Sequence, residues 1–99
     1  MRIAIYGSRR QQDAAPTVAR FLDILAARGV EVVMHRKLYR HLLELIPEAL
    51  QHTGTVTDSP HFNADMAVSL GGDGTFLRTA MWVADKQIQV GRPSGVLGR

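Results

Sequence analysis

The opening of the chain sets one helix-spaced apolar stripe between two strand-like runs, and no other feature restricts the fold as strongly. Ile3-Ala4-Ile5-Tyr6 is a short apolar run closed by Gly7-Ser8, which reads as a buried strand feeding a turn. After a polar loop, Asp13 is placed to cap a helix with Pro16 in its first turn. Val18, Phe21, Leu22 and Leu25 then follow at i, i+3, i+4 and i+7, and Gly29 is placed to end it. Val30, Val32, Val33 and Met34 form a second strand-like run. Strand, helix and strand at these lengths suit a right-handed parallel crossover, so the fold class predicted is α/β.

The remaining pattern extends that reading. Leu38, Leu42, Leu45, Ile46 and Leu50 keep helical spacing, but Pro47 removes a backbone donor, so a boundary is expected near Ile46. Residues 51 to 60 are polar and read as a loop. Met66-Ala67-Val68-Ser69-Leu70 reads as a third strand running straight into Gly71-Gly72-Asp73-Gly74-Thr75. Phe76, Leu77, Ala80, Met81 and Ala84 then return to helical spacing, and Ile88-Gln89-Val90 suits a fourth strand. The chain closes on a glycine-rich run from Gly91 to Arg99, so residues 1–99 are expected to form an incomplete amino-terminal domain.

Composition narrows the function classes. A chain of 99 residues has room for one small domain, and 45% hydrophobic with 21% charged residues is the balance of an ordinary globular protein. It has no cysteine, so disulfides and thiolate metal sites are excluded and a cytoplasmic address is the default. No apolar run approaches the roughly 18 residues of a membrane span, and no membrane role is expected. The net charge of +3 raises nucleic acid as a partner, but the basic residues are scattered. Only Arg9-Arg10 and Arg36-Lys37 are adjacent, no aromatic residues interleave them, and both pairs read as solvated surface, so no nucleic-acid partner is expected.

The chemistry concentrates at the glycine turn. Glycine lets a phosphate approach the backbone without meeting a Cβ, and the N–H groups that open a helix point outward where its dipole is positive. Gly71, Gly72, Gly74 and Thr75 are therefore the candidate phosphate cradle, at the carboxyl end of a parallel strand where open α/β sheets bind ligands. A carboxylate repels phosphate, so Asp73 calls for a different role. A side chain of this type can orient a hydroxyl and accept its proton in phosphoryl transfer, or hold a metal; the bland alternative is a helix cap on the first backbone N–H groups.

The longer string Leu70-Gly71-Gly72-Asp73-Gly74-Thr75-Phe76-Leu77-Arg78 resembles the signature of the NAD kinases. Gly-Gly-Asp-Gly-Thr alone is shared with diacylglycerol-type lipid kinases and, more loosely, with phosphofructokinases. The Phe76-Leu77-Arg78 continuation and the opening strand turning at Gly7 point to NAD kinase, because the lipid kinases usually run into Asn-Glu after the threonine. Gly91, Gly95, Leu97 and Gly98 match the spacing of a glycine-rich stretch of the same family. Where that family usually shows an apolar residue, an Asn and later a Phe, this chain has Arg92, Pro93 and Arg99, and a proline has no side-chain donor or acceptor to replace Asn.

The resemblance implies an enzyme that transfers the terminal phosphoryl group of ATP, or of polyphosphate, to the 2′-hydroxyl of the adenosine ribose of NAD. It implies Asp73 as the catalytic base; Asp73, Gly74 and Arg78 at the dinucleotide; Mg²⁺ arriving with ATP rather than in a protein cage; and a homo-oligomer. It also implies a Rossmann-like parallel sheet flanked by helices in these residues and a second, β-rich domain outside them, without which they are expected to be inactive. The other readings are a lipid or sphingoid kinase of the same superfamily and a non-catalytic nucleotide-binding module. Among the remaining residues, Trp82 reads as a packing residue, and His35, His41, His52 and His61 as ordinary surface or loop histidines without metal-ligand spacing.

Overall fold

A computed structural model of the protein describes residues 1–7 and 15–93. Asp13, Arg9-Arg10 and the tail glycines Gly95 and Gly98, with Leu97 and Arg99, lie outside them. The strands are β1 (Arg2–Gly7), β2 (Glu31–His35), β3 (Thr55–Thr57), β4 (Met66–Leu70) and β5 (Gln89–Gly91), and the helices are α1 (Ala15–Ala27), α2 (Arg36–Leu45) and α3 (Asp73–Trp82). Short 3₁₀ turns follow α2 at Pro47–Leu50 and α3 at Ala84–Lys86. The strands form one sheet in the order β3-β2-β1-β4-β5, and every pairing is parallel.

Strand alternation decides which residues meet which helix. Ile3 and Ile5 of β1, Val32 and Met34 of β2, and Val68 and Leu70 of β4 face one side and are covered by Val18, Phe21, Leu22 and Leu25 of α1 and by Leu38 and Leu42 of α2. Leu50 of the first 3₁₀ turn joins the same core. On the opposite face Ala4, Val33 and Ala67 pack with Val83, and Phe62, Trp82, Ile88 and Val90 close around them.

The predicted boundaries hold where a backbone cause sets them. The α1 helix ends at a left-handed Gly29, φ 72°, with the Val30 N–H donating to the Leu25 carbonyl and the Gly29 N–H to the Ala26 carbonyl, the paired bonds of a Schellman turn. Leu45 is the last residue of α2, and Pro47 opens the 3₁₀ turn after the break at Ile46.

Three expectations are corrected. Thr55–Thr57 is not loop but an edge strand, paired to Val33–His35; its half-buried threonines carry no apolar signature. The face that α3 buries is Thr75 and Thr79, while Leu77 and Met81 are 62% and 68% exposed and Phe76 and Ala80 are half-buried, so the larger part of its apolar stripe is not core. The Thr79 hydroxyl donates to the Thr75 carbonyl at 2.8 Å, which satisfies its polar atom inside the helix and lets it serve as a core residue. His35, finally, is buried rather than a surface histidine.

His35 sits in an aromatic cluster at the leaving ends of β1 and β2. Its ring lies 4.4 Å from that of Tyr6 and 4.9 Å from that of Trp82, and Trp82 also packs on Phe62 at 4.8 Å. Trp82 is thus the packing residue expected, with its indole N–H donating to the Ser59 carbonyl at 3.2 Å. His35 Nδ1 accepts from the Lys37 backbone N–H at 3.1 Å and so caps α2. Burial, followed by the charges of Lys37 and Arg36 and against the opposing pull of Asp58, holds its imidazole below the ordinary value of 6.5.

Candidate functional site

The strand order fixes where a ligand cleft opens. From β1 the chain moves outward through α1 to β2 and on to β3, then crosses back to place β4 on the other side of β1. Successive connections leave the carboxyl ends of β1 and β4 in opposite directions, and that divergence makes a crevice. β4 ends there at Leu70 and delivers Gly71-Gly72-Asp73-Gly74 into the crevice mouth, all four exposed.

Gly71 has φ 147°, a conformation that side-chain-bearing residues rarely adopt, so it must be glycine for the chain to turn here. Gly72 and Gly74 differ. Gly72 has φ −87°, and a Cβ added at either position would meet nothing within 4 Å. Among the described residues, packing does not require glycine at these two positions, and their bareness leaves room for something that comes from outside.

The helix opens at the same point. Its N-cap is Gly72, which contributes no side-chain cap, and the bond from Phe76 N–H to the Gly72 carbonyl is 3.0 Å. The N–H groups of Asp73, Gly74 and Thr75 precede that bond and have no partner within the helix, which leaves them toward the crevice mouth. Asp73 is the first residue of α3 and not its cap, so the capping alternative for its carboxylate is excluded. Its side chain is fully exposed, and Oδ1 accepts from Nη2 of Arg92 at 3.2 Å. Thr75 turns inward and is buried.

Arg78 is exposed on α3, five residues beyond Asp73. That spacing sets the two about 140° apart around the helix, so Arg78 shares a face with Gly74 rather than with Asp73. Arg92 is the residue that sequence reasoning missed. It stands two residues after Val90 in a position noted above only as a departure, and the one signal that could have found it is the pairing of β5 beside β4. An open hollow of about 600 Å³ elsewhere, lined by Pro60, Phe62, Asp85, Lys86 and Ile88, contains none of the site residues.

Over residues 3–98 the sequence matches the ATP-NAD kinase N-terminal domain family. The chain belongs to the NAD kinase family. Among its relatives, the NAD kinase of Bacteroides fragilis is 35% identical over 102 residues, which cover 99% of this chain and 34% of that protein. The NAD kinase of Flavobacterium psychrophilum is 33% identical over 101 residues, with 99% and 34% covered, and that of Methanothermobacter thermautotrophicus is 33% identical over 90 residues, with 91% and 29% covered. The chain therefore spans about a third of the length of the curated relatives it matches. It has no match among solved structures. The α/β parallel sheet and the glycine turn at its switch point both lie inside the stretch that carries the NAD kinase match.

Among the described residues no cluster of three or more His, Cys, Asp or Glu side chains is placed to hold a metal ion, and no helix is long and apolar enough to cross a membrane. Of the two adjacent basic pairs, Arg36-Lys37 is exposed, with Arg36 Nε 3.8 Å from Asp58.

Proposed function

We propose that this chain is the nucleotide-binding, amino-terminal part of an NAD kinase that transfers the terminal phosphoryl group of ATP or polyphosphate to the 2′-hydroxyl of the adenosine ribose of NAD, giving NADP. The observation that carries the reading is the turn itself: two glycines that no described residue crowds, over open space, beside a carboxylate that caps nothing. The free N–H groups around Gly72, Gly74 and Thr75 suit phosphate oxygens, with Gly71 making the turn that exposes them. Gly74 and Arg78, on one face of the helix, serve the dinucleotide together with Asp73.

In the reaction proposed, Asp73 takes the proton of the ribose 2′-hydroxyl as its oxygen attacks the terminal phosphorus. The new P–O bond forms as the bond to the adjoining phosphate breaks, and ADP, or polyphosphate shortened by one unit, leaves with the electron pair. Mg²⁺ belongs with the donor phosphates. A second, β-rich domain, a homo-oligomeric assembly and a cytoplasmic setting complete the proposal.

The test is Asp73→Asn in a protein that carries this chain together with the second domain proposed. The change keeps the shape and deletes the proton acceptor, so turnover is expected to fall about 10²–10⁴-fold with the KM for NAD within a few fold. NADP formation followed by a coupled dehydrogenase reads both. A mutant above roughly a tenth of the normal rate removes the base assignment.

A further inference from the structure

The geometry points to Arg92 as a positioning residue for Asp73, one that holds a single oxygen of the carboxylate and leaves the other for the acceptor hydroxyl. This rests on the proposed role of Asp73 as proton acceptor.

The sheet brings Arg92 to the turn. β5 lies parallel to β4, with Val68 opposite Gly91, so the residue after β5 emerges at the same edge as Gly71. There the guanidinium makes three contacts. Nη1 donates to the Gly71 carbonyl at 3.1 Å, Nη2 donates to Asp73 Oδ1 at 3.2 Å, and Cζ stands 5.0 Å from the centre of the Phe76 ring. The first contact ties the guanidinium to the turn that ends β4, and the third lays it against the first turn of α3. Because the guanidinium is planar and rigid, fixing one nitrogen fixes the direction in which the other donates.

Asp73 has need of such a partner. Its carboxylate is fully exposed and caps no helix N–H, so without Arg92 it is free to rotate among its staggered positions. A base that must meet one hydroxyl proton gains rate from being held in one orientation. The same contact answers the problem that a carboxylate poses at a phosphate cradle, because the guanidinium balances its charge where the donor phosphates arrive. The pair is solvent-exposed, with the Arg92 side chain 46% accessible, so it is open to salt screening and is expected to contribute to orientation more than to folding.

The experiment uses the full-length protein with Arg92→Met, which keeps the apolar stem against Phe76 and removes the fork, and Arg92→Lys, which keeps the charge on a single nitrogen. For Arg92→Met the expected result is a kcat for NADP formation at least about tenfold lower, with the KM for NAD within about threefold and an unchanged melting temperature. Arg92→Lys is expected to recover part of the loss. Raising salt from about 50 to about 500 mM should lower the wild-type kcat toward that of Arg92→Met and leave the variant flat. An Arg92→Met enzyme within about twofold of wild type, while Asp73→Asn is inactive, overturns the positioning role and leaves the proposed function standing. A loss of kcat that tracks a fall in melting temperature overturns it too, since that is what structural damage does. A wild-type protein that makes no NADP from NAD overturns the proposed function and the positioning role together.

Discussion

Gly7 ends β1 in a space with no room for a side chain: a Cβ there would lie 3.0 Å from Leu38 Cδ1 and 3.1 Å from both Cβ and O of Leu70. The backbone oxygen cannot yield as a flexible side chain can, so Gly7→Ala is expected to cost about 1–3 kcal/mol, read as a lower urea midpoint with an unchanged slope. His35 sets a second expectation. Its folded imidazole stays neutral to lower pH than in the unfolded chain, so below the ordinary 6.5 the unfolded state binds a proton that the folded state takes up only later. Stability is therefore full above that value and declines as pH falls through it. Urea midpoints at about pH 7.5 and about pH 5.5 should differ in that sense, and the difference should shrink in His35→Asn, which can still cap α2 but does not titrate. Neither residue announced itself in the sequence. Gly7 read only as a turn, and His35 as surface, because the rings that bury it arrive from Tyr6 on β1 and Trp82 on α3. Asp73 was legible as chemistry because glycines surrounded it, whereas its pairing with Arg92, across 19 residues, is a product of the sheet.

Element by element, legibility follows how much of the burial is written in apolar residues. The α1 helix buries Val18, Phe21, Leu22 and Leu25, the four that its spacing selected. β3 was missed because an edge strand of Thr-Val-Thr, half-buried throughout, has little apolar alternation to show. In α3 the period was right and the face wrong, since Thr75 and Thr79 fill the core while Leu77 and Met81 stand out. That register can be tested in residues 1–99 by urea unfolding. Leu77→Ala and Met81→Ala should each change stability by less than about 0.5 kcal/mol. Leu25→Ala, at a site only 1% exposed, should cost about 2–5 kcal/mol. A Leu77→Ala penalty as large as that of Leu25→Ala would mean that α3 packs in the other register.

On the scale of the whole molecule, the candidate site is one wall of a cleft: Gly71, Gly72, Asp73, Gly74 and Arg78 are all exposed, and Arg92, which touches Gly71 and Asp73, is exposed as well. Phosphoryl transfer needs both reactants held in line to within about an ångström, which one wall does not do. Residues 1–99 alone, incubated with NAD, ATP and Mg²⁺, are therefore expected to give no NADP above background in a coupled dehydrogenase assay. The parallel α/β class was legible from the opening strand, helix and strand, but the switch point was not, because the return of β4 to the far side of β1 depends on pairings across about sixty residues of chain. That same return has a consequence for how the protein comes into being. β1 is made first, yet Ile3 must wait for Met66 and Gly7 for Leu70 before its second edge is filled. Long-range parallel pairing of this kind is slow, and a strand with an open edge is exposed to wrong partners while it waits. During synthesis the glycine turn can therefore settle against the sheet only once residues 66–70 have been made and have found β1.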